Sequence, residues 1–256
     1  MVLEESMLCF DSNLAKSKPE SIVKRDTSCP FCETESLTNV IDREGTIIWV
    51  ENKYPTLQDT YQTIIIETDQ CESELSEYDP SHLKQLFRFA FEKWLVMENS
   101  GEYKSVILYK NHGLLSGGTI RHPHMQIVGL KKLNYWRKVN TDTFDGEFIH
   151  SAGNVSLSVS NYPLVGFTEF NVKVNENFNL KDVDQMAVYI QNGTHFLLNH
   201  LKCNSYNLFF YRLNQLIFVK IMPRFVTSPL FLGYSIPQVS NNINEIVTKM
   251  KDIYFK

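Results

Sequence analysis

The sequence predicts an α+β fold made of two related halves, each an antiparallel sheet carrying a packed helix. Two observations carry this expectation. An amphipathic helical stretch followed by two strand-like runs occurs twice, about one hundred residues apart. With 43% hydrophobic and 12% aromatic residues, the 256-residue chain also has enough bulky apolar content to build a sizeable core. The spacing is too long for a solenoid period and points to paired half-domains, 1–140 and 141–256.

In the first half, Thr46 to Val50 and Tyr61 to Glu67 are β-branched and aromatic runs, separated by Glu51-Asn52-Lys53-Tyr54-Pro55, a turn-forming stretch. From Pro80 to Asn99, Leu83, Leu86, Phe87, Ala90, Phe91, Trp94 and Leu95 recur at spacings of three and four, which predicts a helix started by Asp79-Pro80-Ser81. Ser105 to Lys110 reads as a strand, Asn111 to Arg121 as a glycine-rich loop and His124 to Leu130 as a further strand. The second half repeats the order, with a helix from about Leu180 to Leu201 and strands at Tyr206 to Arg212 and Gln215 to Met222. Only Leu213-Asn214 joins those two strands, so the first copy keeps the chemistry and the second keeps packing. Asn241 to Tyr254 closes the chain as a helix.

A formal net charge of −4 and a pI near 6.0 give no field for a nucleic acid polymer or an anionic membrane. No apolar run approaches the roughly 20 residues of a membrane helix. The first 25 residues lack a signal-peptide core, which predicts a cytoplasmic protein with reduced thiols. Five cysteines in that setting suggest metal binding where they cluster.

The densest signal is the run from Asn111 to Gln126. In an extended segment His122, His124 and Gln126 share a face, and Pro123 restricts the backbone between the histidines. A neutral imidazole is nucleophilic near pH 7, so His124 can attack phosphorus and form a labile phosphoramidate. Gln126 offers an amide to phosphate oxygens, and the loop glycines let backbone N–H groups approach them. Taken alone, His-x-His is more often a pair of satisfied polar groups; the glycine loop and Gln126 shift that balance. Cys29-Pro30-Phe31-Cys32 supplies two thiolates of the kind that hold tetrahedral zinc. A redox pair is the rival, disfavoured because the motif sits in a polar segment before the sheet.

Among other candidates, His112 reads as a solvated loop residue. Lys110, Arg121, Lys131 and Lys132 read equally as a soluble rim and as nucleotide-attracting charge. Cys9 and Cys203 read as small apolar residues.

These residues resemble the active-site segment of the galactose-1-phosphate uridylyltransferases, in the histidine-triad superfamily. The Asn-x-Gly stretch at Asn111, the small turn at Gly117-Gly118-Thr119 and His122-Pro123-His124-Met125-Gln126 follow one another at that family's spacing. The N-terminal Cys-x-x-Cys, Asn52 and Gly233-Tyr234 extend the resemblance over most of the chain. It implies a histidine-triad-like fold, His124 as a transiently nucleotidylated nucleophile, and Gln126 and Thr119 as phosphate-binding residues. Asn52, Asn111, Gly117 and Gly118 would line the nucleotide pocket. It further implies a structural zinc held by Cys29, Cys32 and His122, with Cys71 standing where the family has a histidine.

The implied activity is nucleotidyl transfer of the UDP-hexose:hexose-1-phosphate uridylyltransferase type. A nucleotide or dinucleotide phosphorylase, or a zinc-stabilised binding protein without turnover, are the alternatives. The implied partners are a nucleotide or nucleotide-sugar and a phosphorylated small-molecule acceptor; assembly is left open, a homodimer included. Gln126 at the third position, where the superfamily's hydrolases have histidine, favours transfer over hydrolysis. Phe218-Val219-Lys220 replaces the family's second His-x-His, so no second metal site is expected.

Overall fold

A computed structural model describes residues 7–24 and 28–256. Contacts divide the chain into two compact units: the residues up to Glu74 with Arg88–Val139, and Leu75–Phe87 with Asn140–Lys256. One of the three breaks between the units, at Phe87–Arg88, falls inside a helix.

The first unit begins with helix α1 (Ser12–Lys16), capped by Asp11, whose carboxylate accepts from the Asn13 and Leu14 amides. Strands β1 (Val40–Glu44), β2 (Ile47–Glu51) and β3 (Thr60–Ile66) follow. Helix α2 (Pro80–Asn99) precedes β4 (Ser105–His112) and β5 (His124–Leu130). These strands are antiparallel in the order β1-β2-β3-β5-β4.

Register decides what each face carries. Ile48 lies opposite Ile66 and Val50 opposite Ile64, while Ile66 faces His124 and Ile64 faces Gln126. Directly opposed residues project to the same side of a sheet. His124 and Gln126 therefore share a face with the apolar cluster of Phe31, Ile48, Val50, Ile64 and Ile66, against which Cys29, Leu37 and Ile120 pack. Alternation puts Ile65, Met125 and Ile127, all fully buried, on the opposite face. The buried stripe of α2, with Ala90, Phe91 and Trp94, belongs to the core, and the Trp94 indole donates to the Val106 carbonyl at 3.1 Å.

The second unit contains β6 (Gly146–Ala152), β7 (Val155–Ser160), β8 (Gly166–Phe167) and β9 (Phe170–Asn175). Helix α3 (Leu180–His200) follows, then β10 (Tyr206–Leu213), β11 (Leu216–Pro223), α4 (Pro229–Tyr234), β12 (Gln238–Val239) and α5 (Ile243–Tyr254). Five strands run antiparallel in the order β10-β11-β9-β7-β6, and β8 and β12 form a small parallel pair. Asn179 and Asp182 cap α3 reciprocally, each side chain accepting from the other's backbone. Asn214 and Gln215 take the left-handed backbone of a tight hairpin between β10 and β11.

Both amphipathic helices and their following strand pairs lie where periodicity put them. β4 is longer than predicted, so Asn111 and His112 end a strand instead of opening a loop. Strands β1, β6, β7, β8, β9 and β12, and helices α1 and α4, are additions. Among the described residues no helix is long and apolar enough to cross a membrane.

Candidate active site and metal cluster

The Cys-x-x-Cys turn, the segment after β3 and the start of β5 meet at four side chains. The ligand atoms of Cys29, Cys32, Cys71 and His122 all lie within 4.8 Å of one another. His122 Nδ1 is 3.5 Å from Cys29 Sγ and 3.6 Å from Cys32 Sγ. A tetrahedral zinc with ordinary bond lengths separates sulfur from nitrogen by roughly 3.5 Å, so this donor set has the right chemistry and spacing.

The His122 tautomer agrees. Its Nε2 lies 2.7 Å from the Thr68 carbonyl, which can only accept, so Nε2 carries the proton and Nδ1 turns its lone pair to the sulfurs. Desolvation, with Cys71 adding to it, holds the Cys29 thiol above its ordinary pKa against the lowering effect of the Phe31 backbone and Cys32, while desolvation and then the neighbouring Cys29 and Cys71 sulfurs push Cys32 up to about 12. A bound cation gathers thiolate charge and so favours deprotonation of the cysteines around it.

Two residues on, His124 begins β5 and is almost wholly buried. Its Nδ1–H donates to the His122 carbonyl at 2.8 Å, which leaves the lone pair on Nε2. Burial pushes its pKa down to about 4, with the positive charge of Lys110 adding to the effect, so the ring is neutral near pH 7. Phe31 stands edge-on to both imidazoles, with ring centroids 5.9 Å from His122 and 5.5 Å from His124.

His124 lines a cavity of about 450 Å³. Asn52, Asn111, Gly117, Gly118, Thr119 and Gln126 line it as well, so all the nucleotide-pocket residues expected from sequence come together. Gln126 is held by the Tyr109 hydroxyl, which donates to Oε1 at 2.9 Å and leaves the amide N–H groups for a ligand. Asn52 Oδ1 accepts from the Tyr54 amide at 2.9 Å, which likewise leaves its donors. Gly117 has φ +84°, a left-handed conformation in which a side chain is strained, and a Cβ on Gly118 would lie 3.2 Å from that of Asn111.

The N-terminal segment braces this loop. The Ile22 amide donates to the Thr119 carbonyl at 3.1 Å, and the Arg121 amide donates to Ser21 Oγ at 3.1 Å.

Several sequence readings need correction. Lys110 is no surface rim residue: it is buried in an ion pair with Glu67 at 2.5 Å. Lys131 and Lys132 are exposed, as the soluble-rim reading has them, and do not line the cavity; Lys132 pairs with Asp59. His112, expected in a solvated loop, is half-buried at the end of β4. Cys203 is buried as expected, but Cys9 is exposed.

Sequence reasoning also missed residues. Lys18, Phe31, Glu51, Tyr54 and Tyr109 line the cavity. The alternation of Tyr109 with Asn111 along β4 was a usable signal; nothing local marked Lys18.

Two adjoining family descriptions match the chain. "Domain of unknown function (DUF4931) N-terminal domain" covers residues 10–133, and "Domain of unknown function (DUF4931) C-terminal domain" covers residues 136–255. The crystal structure of a DUF4931 family protein from Bacillus cereus is 44% identical, with a TM-score of 0.77 over 85% of this chain and 100% of that one. A uridylyltransferase structure has 15% identity and a TM-score of 0.71 over 89% of this chain and 91% of its own. An ADP-glucose phosphorylase from Arabidopsis thaliana with bound ADP-glucose has 14% identity and a TM-score of 0.71, over 93% and 95%. No curated protein matches the sequence. The fold is the expected α+β, histidine-triad-like one shared with these last two structures.

Proposed function

The chain belongs to the DUF4931 family, and we propose that it is a nucleotidyltransferase working through a covalent nucleotidyl-histidine at His124. The observation that carries this reading is a buried, neutral imidazole whose Nδ1–H is committed to a backbone carbonyl and whose ring lines a cavity beside Gln126, Thr119 and Asn111. The fold shared with a uridylyltransferase and with an ADP-glucose phosphorylase supports the reaction class.

In the first step the Nε2 lone pair attacks the α-phosphorus of a nucleotide-sugar or related nucleotide. The P–N bond forms as the P–O bond to the leaving phosphate breaks, and that oxygen keeps the electron pair. The imidazole becomes cationic, and the hydrogen bond from Nδ1–H to the His122 carbonyl strengthens as it does so. Gln126 and the backbone N–H groups of the glycine loop donate to the phosphoryl oxygens as charge builds there. In the second step an acceptor phosphate oxygen attacks phosphorus, and the imidazole leaves with the P–N electron pair.

Cys29, Cys32, Cys71 and His122 would hold zinc, which when bound supplies a crosslink between the N-terminal segment, the segment after β3 and the start of β5. His122 then anchors the peptide whose carbonyl orients His124.

The acceptor is a sugar phosphate in the transferase reading and inorganic phosphate in the phosphorylase reading. Intact-mass measurement after incubation with a panel of nucleotide-sugars and dinucleotides tests the common step: one donor should add a nucleoside monophosphate to the protein. Discharge of that adduct by hexose 1-phosphate or by inorganic phosphate then separates the two readings. Nucleotides that raise the melting temperature while none forms an adduct would establish binding without turnover.

A further inference from the structure

We infer that Arg121 is the counter-charge that allows this cluster to hold a metal ion with three thiolates; the inference rests on the metal-binding reading above. Three thiolates, a neutral imidazole and a divalent cation sum to −1, whereas two thiolates and two imidazoles would sum to zero. The third thiolate is Cys71, and Cys71 is the sulfur that Arg121 meets, with Nη2 3.9 Å from Sγ. The same nitrogen lies 2.8 Å from Glu72 Oε1. Glu72 is 73% exposed, so solvent screens its charge, while the cluster is partly enclosed. A guanidinium carries five donors in a planar fork and can serve a carboxylate and a sulfur together.

Two further observations fix the arrangement. Arg121 Nε is buried with no hydrogen-bond partner among the described residues. A buried unpaired donor on this guanidinium is costly, and a full thiolate charge on Cys71, the sulfur that Nη2 meets, offsets part of that cost. The Arg121 backbone is also tied, its amide donating to the buried Ser21 hydroxyl, so the side chain starts from a fixed point next to the ligand His122. Arg121 is thus an outer partner of the metal cluster, acting through Cys71, and groups in that position typically change metal affinity by 10–100-fold.

The test is a double-mutant cycle read as zinc affinity, by equilibrium competition with a chromophoric chelator. In the Cys71 protein, Arg121→Met should weaken zinc binding by about tenfold or more. In the Cys71→His protein, whose filled site is neutral, the same change should do little. Arg121→Lys should retain most of the affinity in the Cys71 protein, since it keeps the charge. Equal losses in both backgrounds would overturn the inference, because they indicate a structural role indifferent to the third thiolate. Unchanged affinity in Arg121→Met would overturn it while leaving the metal site intact. A wild-type chain that takes up no stoichiometric zinc would overturn the metal site and the inference together. Should Arg121→Met not fold, Arg121→Gln, which keeps donors but loses the charge, is read in the same cycle against the same outcomes.

Discussion

Both imidazoles of the His122-Pro123-His124 run donate one ring N–H to a backbone carbonyl, and the nitrogen left over decides what each does. His122 donates from Nε2 and turns Nδ1 to the sulfurs; His124 donates from Nδ1 and keeps Nε2 for the cavity. Opposite tautomers two residues apart make the two substitutions separable. His124→Gly should retain zinc and melting temperature while losing the adduct, and His122→Ala should lose metal and stability together; peptide mapping that finds the adduct on another residue of His124→Gly protein would overturn the assignment. Gln126→Ala should slow adduct formation about a hundredfold, as for other donors to a developing oxyanion. The pH dependence follows from the depressed pKa of His124. Its folded value of about 4 lies below the ordinary 6.5, so the proposed nucleophile stays neutral through the pH 5–8 range and is lost only as pH falls through about 4. As far as His124 decides it, single-turnover adduct formation should accordingly be flat from pH 8 to about 5 and fall below that. A midpoint near the ordinary histidine value would mean that the ring is more exposed to water than its burial indicates.

Among the elements, the helices and the histidine strand were the most legible, because α2 and α3 repeat apolar residues every three or four positions and His-Pro-His-x-Gln is unusual chemistry. Strands β7 and β9 alternate strictly in Val-Ser-Leu-Ser-Val-Ser and Phe-Asn-Val-Lys-Val-Asn, so their period is readable in the sequence although they lie outside the helix-strand-strand repeat. β1 and β6 were harder: β1 is exposed along its whole length and β6 buries little beyond Ile149, so neither shows the apolar run of a core strand. Lys110 illustrates a different limit, since sequence gives a lysine's charge but not the Glu67 that lies 43 positions earlier and removes it from the surface. The Cys71 segment and the Cys-x-x-Cys turn have little regular structure of their own, so the cluster should be their main constraint. Chelation should therefore lower the melting temperature, with Cys71→Ser weakening zinc binding more than Cys203→Ser; equal effects would place the fourth ligand elsewhere. Gly117→Ala should cost about 1–2 kcal/mol in chemical denaturation, because its φ of +84° is unfavourable for an L side chain even with open space around it.

Across the whole molecule the two units share an order of elements, and the proposed chemistry lies in the first. His195 and His200 lie on α3, and His195 Nδ1 is 2.6 Å from the Tyr254 hydroxyl of α5, a packing arrangement within the second unit. His195→Gln and His200→Gln should leave adduct formation unchanged. In place of a paired-histidine strand, β11 carries Lys220, fully buried and 2.9 Å from the equally buried Glu169. Lys220 also donates to the Thr143 carbonyl at 2.8 Å, while Glu169 accepts from the Leu164, Val165 and Gly166 amides. Each charge is thus compensated several times, and the pair clips the segment before β9 and the turn at Thr143 to β11. Burying two charges gains little over an apolar pair, but removing one partner leaves the other uncompensated, at a cost of about 3–5 kcal/mol. Glu169→Gln should accordingly lose most of that range in urea denaturation. Pairing Glu169→Gln with Lys220→Met should recover part of the loss, since it removes the stranded ammonium. Folded protein of either variant should still bind zinc and accept a nucleotide on His124. An adduct that disappears while zinc stoichiometry and fold persist would show that the second unit supplies chemistry, not packing alone.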